Sequence, residues 1–302
     1  MAQFKRIKKN VNGVLLLDKP LGFSSNQALQ KVKWLYQAAK AGHTGTLDPL
    51  ATGLLPICLG EATKFAQYVT DADKTYFATI KLGVTTTTGD AEGEVLTTAP
   101  VNVSPAQFAA ACQQFIGEIS QMPPMYSALK HEGRALYEYA RQGVDIARQS
   151  RLIHISNIVV EKFAADFAQI TVVCSKGTYI RTLAEDIGAK LGCGAHLIGL
   201  RRTESAGYLL ANAVTIEQLE AMSNEDRMSL LLPVDSAIES LPKVILNTDA
   251  AFYMMQGQAV WQAGKVPNGD LRLYDEQNHF LGLGSLQDDG KIAPKRLIQK
   301  IT

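Results

Sequence analysis

The distribution of apolar and polar positions along the chain predicts a mixture of strands and helices. Residues 13–17 form a continuous apolar run that ends before a proline, which is typical of a buried strand because proline cannot donate to the ladder. Residues 75–82 alternate between apolar and polar side chains, the pattern of a strand with one buried face. After a serine at position 24 or 25, apolar side chains recur at helical spacing to about residue 37, which predicts a capped helix.

Later segments repeat both patterns. The further predicted elements are helices at about 104–115, 134–142, 178–191 and 217–232 and strands at about 152–163, 168–175 and 195–202. Residues 41–53 are rich in glycine and are predicted to form a shaped loop. Because strands interleave with helices without strict βαβ repetition, we expect an α+β fold: a mixed, largely antiparallel sheet with flanking helices.

The C-terminal part of the chain has a different pattern. Residues 241–243 (LPK) mark a linker, and beyond them short apolar segments are separated by glycines. Such spacing is typical of a small β-rich domain. The sequence therefore predicts two domains, residues 1–243 and residues 244–302.

Composition narrows the class of protein. The chain has 302 residues, of which 46% are hydrophobic and 20% are charged, as expected for a globular protein with a full core. We find no signal peptide and no apolar run of membrane-spanning length, so a cytoplasmic location is expected. The four cysteines are far apart and form no Cys-x-x-Cys pair, which argues against a disulfide framework and against a structural zinc site.

The formal net charge is only +1, but the charges are unevenly distributed. Residues 215–240 are acidic, whereas two zones near the ends of the chain are basic. The basic zones contain Lys5, Arg6, Lys8, Lys9, Lys19, Lys31, Lys33 and Lys40 at one end and Lys291, Lys295, Arg296 and Lys300 at the other. Two basic zones around a neutral middle suit a protein that binds phosphates on one face.

The first candidate for chemistry is Asp48, in the segment of residues 42–49 (GHTGTLDP). Its neighbours are small, turn-forming residues, so a bulky ligand can approach the backbone closely. A carboxylate can act as a nucleophile at a sugar carbon or an electron-poor ring when water is excluded. The local pattern alone also fits an ordinary Asp-Pro turn in a surface loop, and by itself it favours that simpler interpretation.

A second candidate segment spans residues 174–186, where a strand ends and a helix begins near Tyr179 and Arg181. Arg181 could pair with a buried carboxylate and keep it ionised. The alternative is a surface pair with Glu185 at i,i+4 spacing. The sequence has no phosphate-binding glycine loop, dinucleotide fingerprint, zinc-protease motif or Gly-x-Ser-x-Gly, which disfavours the enzyme classes that use them.

Four separated segments, taken together, resemble the signature motifs of the TruB family, the tRNA pseudouridine-55 synthases. In the family's order they are GVLLLDKP at 13–20, GHTGTLDPLATGLL at 42–55, PMYSALK at 124–130 and KGTYIRTLAED at 176–186. The resemblance extends over residues 13 to about 204, and the tail after about 245 resembles the family's small PUA-type RNA-binding domain.

The resemblance implies an isomerase that converts uridine-55 in the T loop of tRNA to pseudouridine. The base would be flipped out of its loop, and the reaction would need no cofactor. Residues 121–150 would form the family's RNA-gripping insertion. The implied partner is the T stem-loop of tRNA; no protein partner and no membrane are implied, and a monomer is expected.

The resemblance also implies roles for individual residues. Asp48 would be the catalytic aspartate, Arg181 would pair with it, and Tyr76 would stack near the target base and be a candidate for proton transfer. The residues implied to bind or support the substrate are Tyr179 and Leu200 in the uracil pocket, Lys19 as a structural lysine beside it, and His43 filling the space left in the T loop.

Two other functions would use the same features. A non-catalytic tRNA-binding or RNA-folding protein would need the basic zones and the C-terminal β-domain but not Asp48. An N-glycoside hydrolase would use Asp48 as a nucleophile and release free uracil. Within the isomerase hypothesis, the sequence does not distinguish attack of Asp48 on ribose C1′ from addition to the uracil ring.

Overall fold

A computed structural model describes residues 8–299. Lys5, Arg6 and Lys300 of the predicted basic zones lie outside the described residues. The helices are α1 (Ser25–Leu35), α2 (Ala66–Asp71), α3 (Pro105–Gln113), α4 (Leu136–Ala140), α5 (Ile180–Lys190), α6 (Ile216–Ala221), α7 (Asn224–Ser229) and α8 (Thr248–Met255). The strands are β1 (Gly13–Lys19), β2 (Ala41–His43), β3 (Ala51–Leu59), β4 (Lys74–Leu82), β5 (Val84–Thr86), β6 (Val95–Thr98), β7 (Gly117–Gln121), β8 (Lys130–His131), β9 (Arg134–Ala135), β10 (Arg151–Ala164), β11 (Phe167–Cys174), β12 (Ala195–Ser205), β13 (Tyr208–Leu209), β14 (Lys243–Ile245), β15 (Asp270–Tyr274), β16 (Phe280–Leu286) and β17 (Ile292–Leu297).

The main sheet has nine strands in the order β1-β3-β12-β4-β11-β10-β7, with β2 beside β3 and β13 beside β12. Its strand pairs are antiparallel except for β3 and β12, which run parallel. The predicted α+β class with a mixed, largely antiparallel sheet is therefore confirmed. Since β12 lies between β3 and β4, it joins the two parts of the chain that carry Asp48 and Tyr76.

Two apolar clusters pack against this sheet. One joins α3 and α5 to β4, β10, β11 and β12, and the other joins α1 and α6 to β1 and β3. Tyr76 and Leu200 contact both clusters and are only partly buried. They therefore lie at the boundary between the two clusters, where the sheet surface is open.

A second sheet of four strands, β14-β15-β16-β17, forms the C-terminal unit, so the predicted small β-rich domain is present. This unit shares a core with the main sheet, because Leu283 of β16 is buried in one cluster with Val14 and Phe65. The rings of Phe65 and Phe280 also meet edge to face at 5.6 Å between centroids. The two units are thus packed together by apolar contacts.

Two predicted elements are wrong in detail. Residues 217–232 do not form one helix: α6 ends before Ser223, whose hydroxyl accepts a hydrogen bond from the Asp226 backbone and starts α7 instead. A serine that caps a new helix competes with continuation of the preceding one. Residues 41–53 are only partly a loop, because β2 occupies one end of the segment and pairs with the far end of β3, while the start of β3 occupies the other end and pairs with β12.

None of the helices in residues 8–299 is both long and apolar enough to cross a membrane.

Candidate active site

A cleft of about 500 Å³ opens where the segment between β2 and β3, hereafter the Asp48 loop (residues 44–50), meets β4, β12 and the start of α5. Five of the seven predicted site residues line it: Asp48, Tyr76, Tyr179, Arg181 and Leu200. They come from the Asp48 loop, from β4, from α5 with its preceding residue, and from β12. The fold therefore brings together residues that are distant in the sequence.

The Asp48 loop is held by buried hydrogen bonds. Ser25, at the start of α1 and only 2% exposed, donates to the Leu47 carbonyl at 3.0 Å and accepts from the Leu47 amide at 2.7 Å. The Thr44 amide donates to the Pro56 carbonyl at 3.1 Å. Gly45 has a φ of +84°, in the left-handed region that favours glycine. These contacts fix the backbone on both sides of the turn, so the direction of the Asp48 side chain is set.

Arg181 lies between two carboxylates. Its Nη2 is 3.0 Å from Asp48 Oδ2 and its Nη1 is 3.5 Å from Asp90 Oδ2. The guanidinium also donates to the Thr88 carbonyl at 3.1 Å and to the Tyr126 carbonyl at 2.6 Å. Only 5% of the Arg181 side chain is exposed. The predicted pairing with a carboxylate is confirmed, and the surface pair with Glu185 is not the arrangement of this buried side chain.

The environment makes Asp48 a weaker acid. About 38% of its side chain is exposed to the cleft, but protein surrounds the rest of the carboxyl group. This burial raises the pKa of Asp48 above its ordinary value, Arg181 acts against the shift, and the charge of Asp90 adds to it. Arg181 thus favours the ionised form of Asp48, against the effect of burial.

The other cleft residues form an apolar and aromatic wall. Leu200 of β12 pairs with Ala51 of β3 and Ala78 of β4, and Tyr76 lies two residues before Ala78 on β4, opposite Arg202. Burial raises the pKa of Tyr76 and of Tyr179, so both phenols are held in the protonated form. A flat ligand ring can lie against such a wall while its polar edge reaches the carboxylate.

Tyr179 is held by a side chain that the sequence analysis did not identify. Gln121 is 1% exposed; its amide donates to the Tyr179 carbonyl at 3.1 Å and accepts from the Tyr179 amide at 2.8 Å. Gln121 begins the predicted insertion, residues 121–150, which also supplies the Tyr126 carbonyl to Arg181. The insertion is therefore hydrogen-bonded to the start of α5, next to the Asp48–Arg181 ion pair.

Lys19 and His43 lie behind the cleft and are not among the residues that line it. The Lys19 ammonium is completely buried and donates to the carbonyls of Pro20 at 2.9 Å and Phe23 at 2.5 Å. Burial lowers the pKa of Lys19 to about 8, although Asp48 acts to raise it. His43 lies on β2, where burial lowers its pKa and its Nδ1 has no hydrogen-bond partner.

The basic residues of the cleft come from outside the two predicted basic zones. They are Lys74, Arg151, Lys176, Arg181 and Arg202, against Asp48 as the single carboxylate among the lining residues. Lys74, Arg181 and Arg202 are buried, so Arg151 and Lys176 are the members of this set that a phosphate-bearing ligand can approach. Lys176 pairs with Asp71 at 3.0 Å, and several members of the predicted zones also pair with acids, as Lys31 does with Glu220 and Lys295 with Asp270.

Asp90, Lys74, Gln121 and Arg202 were missed because local sequence pattern does not distinguish them from ordinary surface residues. Asp90, Gln121 and Arg202 act through partners far away along the chain, whereas Lys74 donates to backbone carbonyls two to five residues before it. The signal that all four share is burial, between 1% and 5% exposed. Buried charged or amide side chains are rare unless they are hydrogen-bonded.

The described residues contain no group of three or more His, Cys, Asp or Glu side chains that could hold a metal ion. The cysteines are all free and buried.

Comparison with known proteins identifies the class. Three family profiles match successive parts of the chain: "TruB family pseudouridylate synthase (N terminal domain)" at residues 33–180, "tRNA pseudouridylate synthase B C-terminal domain" at 181–239 and "Pseudouridine synthase II TruB, C-terminal" at 242–298. Curated relatives named tRNA pseudouridine synthase B are 62% identical in Methylobacillus flagellatus and 52% identical in Pseudomonas fluorescens strain Pf0-1, each over 99% of both chains.

Solved structures agree with the fold. The chain is similar to one in the "Crystal Structure of a Cbf5-Nop10-Gar1 Complex", with a TM-score of 0.71 and 27% identity over 95% of this chain and 84% of that chain. It also shares the fold of a chain in the "Structure of H/ACA RNP bound to a substrate RNA containing 2'-deoxyuridine", with a TM-score of 0.72 and 24% identity over 95% of this chain and 85% of that chain.

The chain is therefore a pseudouridine synthase, an isomerase that acts on RNA. Within that class, the chain belongs to the TruB family, as its full-length relatives establish.

Proposed function

We propose that this protein converts uridine-55 in the T loop of tRNA to pseudouridine, with Asp48 as the catalytic carboxylate. The observation that carries the proposal is the Asp48–Arg181 ion pair, 3.0 Å long, at the floor of a cleft walled by Tyr76, Tyr179 and Leu200. The substrate class is supported by relatives of the same length that bear the name tRNA pseudouridine synthase B.

The reaction moves one bond. The bond from ribose C1′ to uracil N1 breaks, the base turns within the cleft, and C1′ joins C5; the proton on C5 leaves and N1 takes up a proton. No electrons are gained or lost, so no redox cofactor is required. Asp48 either displaces N1 at C1′ and is itself displaced when C5 attacks, or adds to the uracil ring and is eliminated after C1′ has joined C5. The Arg181 guanidinium favours the ionised carboxylate for either route. The cleft withholds water from the separated sugar and base, which would otherwise react with it.

The target uridine must leave the stack of the T loop to reach Asp48. Flipping costs a few kcal/mol, which contacts in the cleft and to the phosphates offset. Tyr76 stacks on the base, and Tyr179 and Leu200 enclose it. Arg151 is exposed at the cleft and available to phosphates near the flipped nucleotide; Lys176 is exposed there too, but a phosphate would have to compete with its ion pair to Asp71 at 3.0 Å.

Three further assignments belong to the same proposal. His43 fills the space that the flipped base leaves in the T loop, and Lys19 supports the loop after β1 through its bonds to Pro20 and Phe23. The insertion at residues 121–150 grips the RNA stem. Residues 1–243 form the catalytic domain and residues 244–302 a PUA-like RNA-binding domain.

The test is to map pseudouridine in a tRNA transcript treated with the purified protein. Pseudouridine is expected at position 55 and absent from a matched transcript with cytidine at that position. Pseudouridine at another position would overturn the site assignment. Free uracil in place of pseudouridine would instead identify an N-glycoside hydrolase, and tRNA binding without either product would identify a non-catalytic RNA-binding protein.

A further inference from the structure

Among the described residues, Arg202 is the largest side chain that is completely buried, at 1% exposure. It lies on β12, opposite Gly53 of β3 on one side and Tyr76 of β4 on the other. Its neighbour Arg201 pairs with Asp18 at 2.6 Å, whereas none of the described carboxylates lies within 4.0 Å of the Arg202 guanidinium. An arginine buried without a carboxylate is costly for the fold, so its position calls for a functional explanation.

The hydrogen bonds of Arg202 join three parts of the site. Its Nε donates to the Leu54 carbonyl of β3 at 2.7 Å, and its Nη2 donates to the Gly45 carbonyl of the Asp48 loop at 3.2 Å. The fit against Gly45 is close, since a Cβ atom added there would lie 3.1 Å from Arg202 Nη1. The guanidinium therefore fixes the Asp48 loop to the strand that follows it.

Arg202 also acts on Tyr76, its cross-strand neighbour. Burial raises the pKa of Tyr76, and the Arg202 charge and a hydrogen bond from its side chain oppose that shift. The same charge lowers the pKa of His43 and Lys74, in addition to the larger effect of burial. Its field thus reaches the side chains around the cleft, and its donors reach the loop that carries Asp48.

We propose that Arg202 is a positioning residue for the isomerisation, which holds the Asp48 loop and Tyr76 at a fixed separation on either side of the target base. The inference rests on the proposed function. It requires the donors of a guanidinium, because one side chain must bond two carbonyls on different elements and face Tyr76 as well. A lysine cannot present this set of donors in a rigid plane.

The test uses two uncharged variants of different volume. Arg202→Ala leaves a space beside the cleft, and Arg202→Met fills that space without donors. Both are expected to lower the single-turnover rate of pseudouridine formation by about 30-fold or more, because small displacements of reacting groups cost about 100-fold. The dissociation constant for tRNA is expected to change by less than about threefold, since Arg202 itself is buried.

Added guanidinium ion distinguishes positioning from general damage. At about 10 mM, a concentration far below the molar range that unfolds proteins, it is expected to restore the Arg202→Ala rate at least about tenfold and to leave Arg202→Met unchanged. Urea, which has the same shape without charge, is expected to restore much less. Three results would overturn the inference. They are variant rates equal to that of the wild type, rate losses matched by equal losses of tRNA affinity, and a folded Arg202→Ala protein that guanidinium ion does not rescue.

Arg202→Lys keeps the inference testable if Arg202→Ala does not fold. It retains the charge, so we expect a folded protein with wild-type affinity for tRNA and a reduced rate; a wild-type rate would overturn the inference. The wild-type protein is measured in parallel in every assay. If it forms no pseudouridine, the proposed function fails, whereas a wild type that is active alongside fully active Arg202 variants refutes only the role of Arg202.

Discussion

At the scale of single residues, the site is organised by one guanidinium shared between two acids. Arg181 contacts Asp48 through Nη2 and the buried Asp90 through Nη1, and each of these nitrogens also donates to a backbone carbonyl. Asp48 is subject to opposite influences from its two charged neighbours: the charge of Asp90 raises the pKa of Asp48, and Arg181 lowers it. The reactivity of Asp48 therefore depends on the balance between these neighbours.

This balance predicts opposite pH shifts for two variants. Asp48 must be ionised to react, so the rate falls as the pH drops through its pKa, which burial has already raised. Arg181→Met removes the group that lowers this pKa and should move the acidic limb of the pH–rate profile to higher pH. Asp90→Asn removes a group that raises it and should move the limb to lower pH. Single-turnover rates measured across pH test both directions.

The size of the Arg181 effect is a second part of this prediction. Arg181→Met is expected to lower the single-turnover rate near neutral pH by about 100-fold, equivalent to ~2.7 kcal/mol of activation free energy. The affinity for tRNA should change much less, because Arg181 is almost fully buried beneath the cleft. Equal losses of rate and affinity, or limbs that move in the same direction, would contradict the account of the ion pair.

Sequence pattern predicts part of this site and not the rest. The motif around Asp48 and the strand-to-helix turn at Arg181 are local features, so the amino-acid order alone marks both residues as candidates. Asp90 and Arg202 act through partners that only the folding of the sheet brings near, and neither belongs to a local motif. A residue whose role depends on a long-range contact leaves little trace in one sequence.

At the scale of elements, the helix α5 contains both a residue of the candidate active site and a glutamate whose ionisation destabilises the folded protein. Arg181 and Glu185 are one turn apart on this helix, and Glu185 faces Gly89 in the segment that leads to Asp90. Burial raises the pKa of Glu185 to about 6; Asp186 adds to the shift, Arg181 opposes it and Asp90 adds further. A carboxyl group held in this way is destabilising when it is ionised.

We therefore predict that Glu185→Gln stabilises the protein above pH 6 and not near pH 4. The folded-state pKa lies above the value of 4.5 for a free glutamate, so the stability that Glu185 removes is absent at low pH and grows as the pH rises through 4.5 to about 6. At pH 7.5 the gain in the free energy of unfolding should be about 1–2 kcal/mol.

The measurement is urea unfolding at both pH values, with Glu118→Gln as the control. Glu118 is an exposed glutamate on β7, so its substitution should leave the midpoint nearly unchanged. A loss of stability for Glu185→Gln at pH 7.5 would show that Glu185 makes favourable contacts that outweigh its burial.

The sequence predicts strands and helices with strong apolar periodicity well, but it does not predict where one helix ends and the next begins. Strands such as β4 and β11 and the helix α5 match the predicted spans to within two residues. The single helix expected over 217–232 is two helices, because the Ser223 hydroxyl accepts a hydrogen bond from the Asp226 amide and caps a new helix. The apolar spacing there is compatible with either outcome, and only tertiary packing selects one.

At the scale of the whole molecule, the two sheets share a core. Leu283 and Phe280 of the C-terminal unit pack with residues of β1 and with Phe65, which directly precedes α2. The Lys64 ammonium also donates to the Leu297 carbonyl at 2.8 Å. Deleting the C-terminal unit would therefore expose apolar surface of the main sheet as well as remove the proposed RNA-binding surface. Truncation is a poor way to separate the two roles.

The shared core predicts that both units unfold together. The chain has two tryptophans, Trp34 in α1 and Trp261 in the C-terminal unit, so each can serve as a reporter once the other is replaced by phenylalanine. The two single-tryptophan proteins should show the same urea midpoint. Leu283→Ala should lower both midpoints together, corresponding to about 2–5 kcal/mol. A lower midpoint at Trp261 alone would mean that the C-terminal unit unfolds independently.

The central claim is that Asp48 is the catalytic carboxylate of a uridine isomerase. Its most direct test compares the wild type with Asp48→Asn, which keeps the size of the side chain and removes its charge, in one assay of pseudouridine formation and tRNA binding. We predict that the variant binds tRNA with nearly wild-type affinity and forms no pseudouridine in a single turnover. Pseudouridine formed by Asp48→Asn at a rate close to that of the wild type would contradict the account.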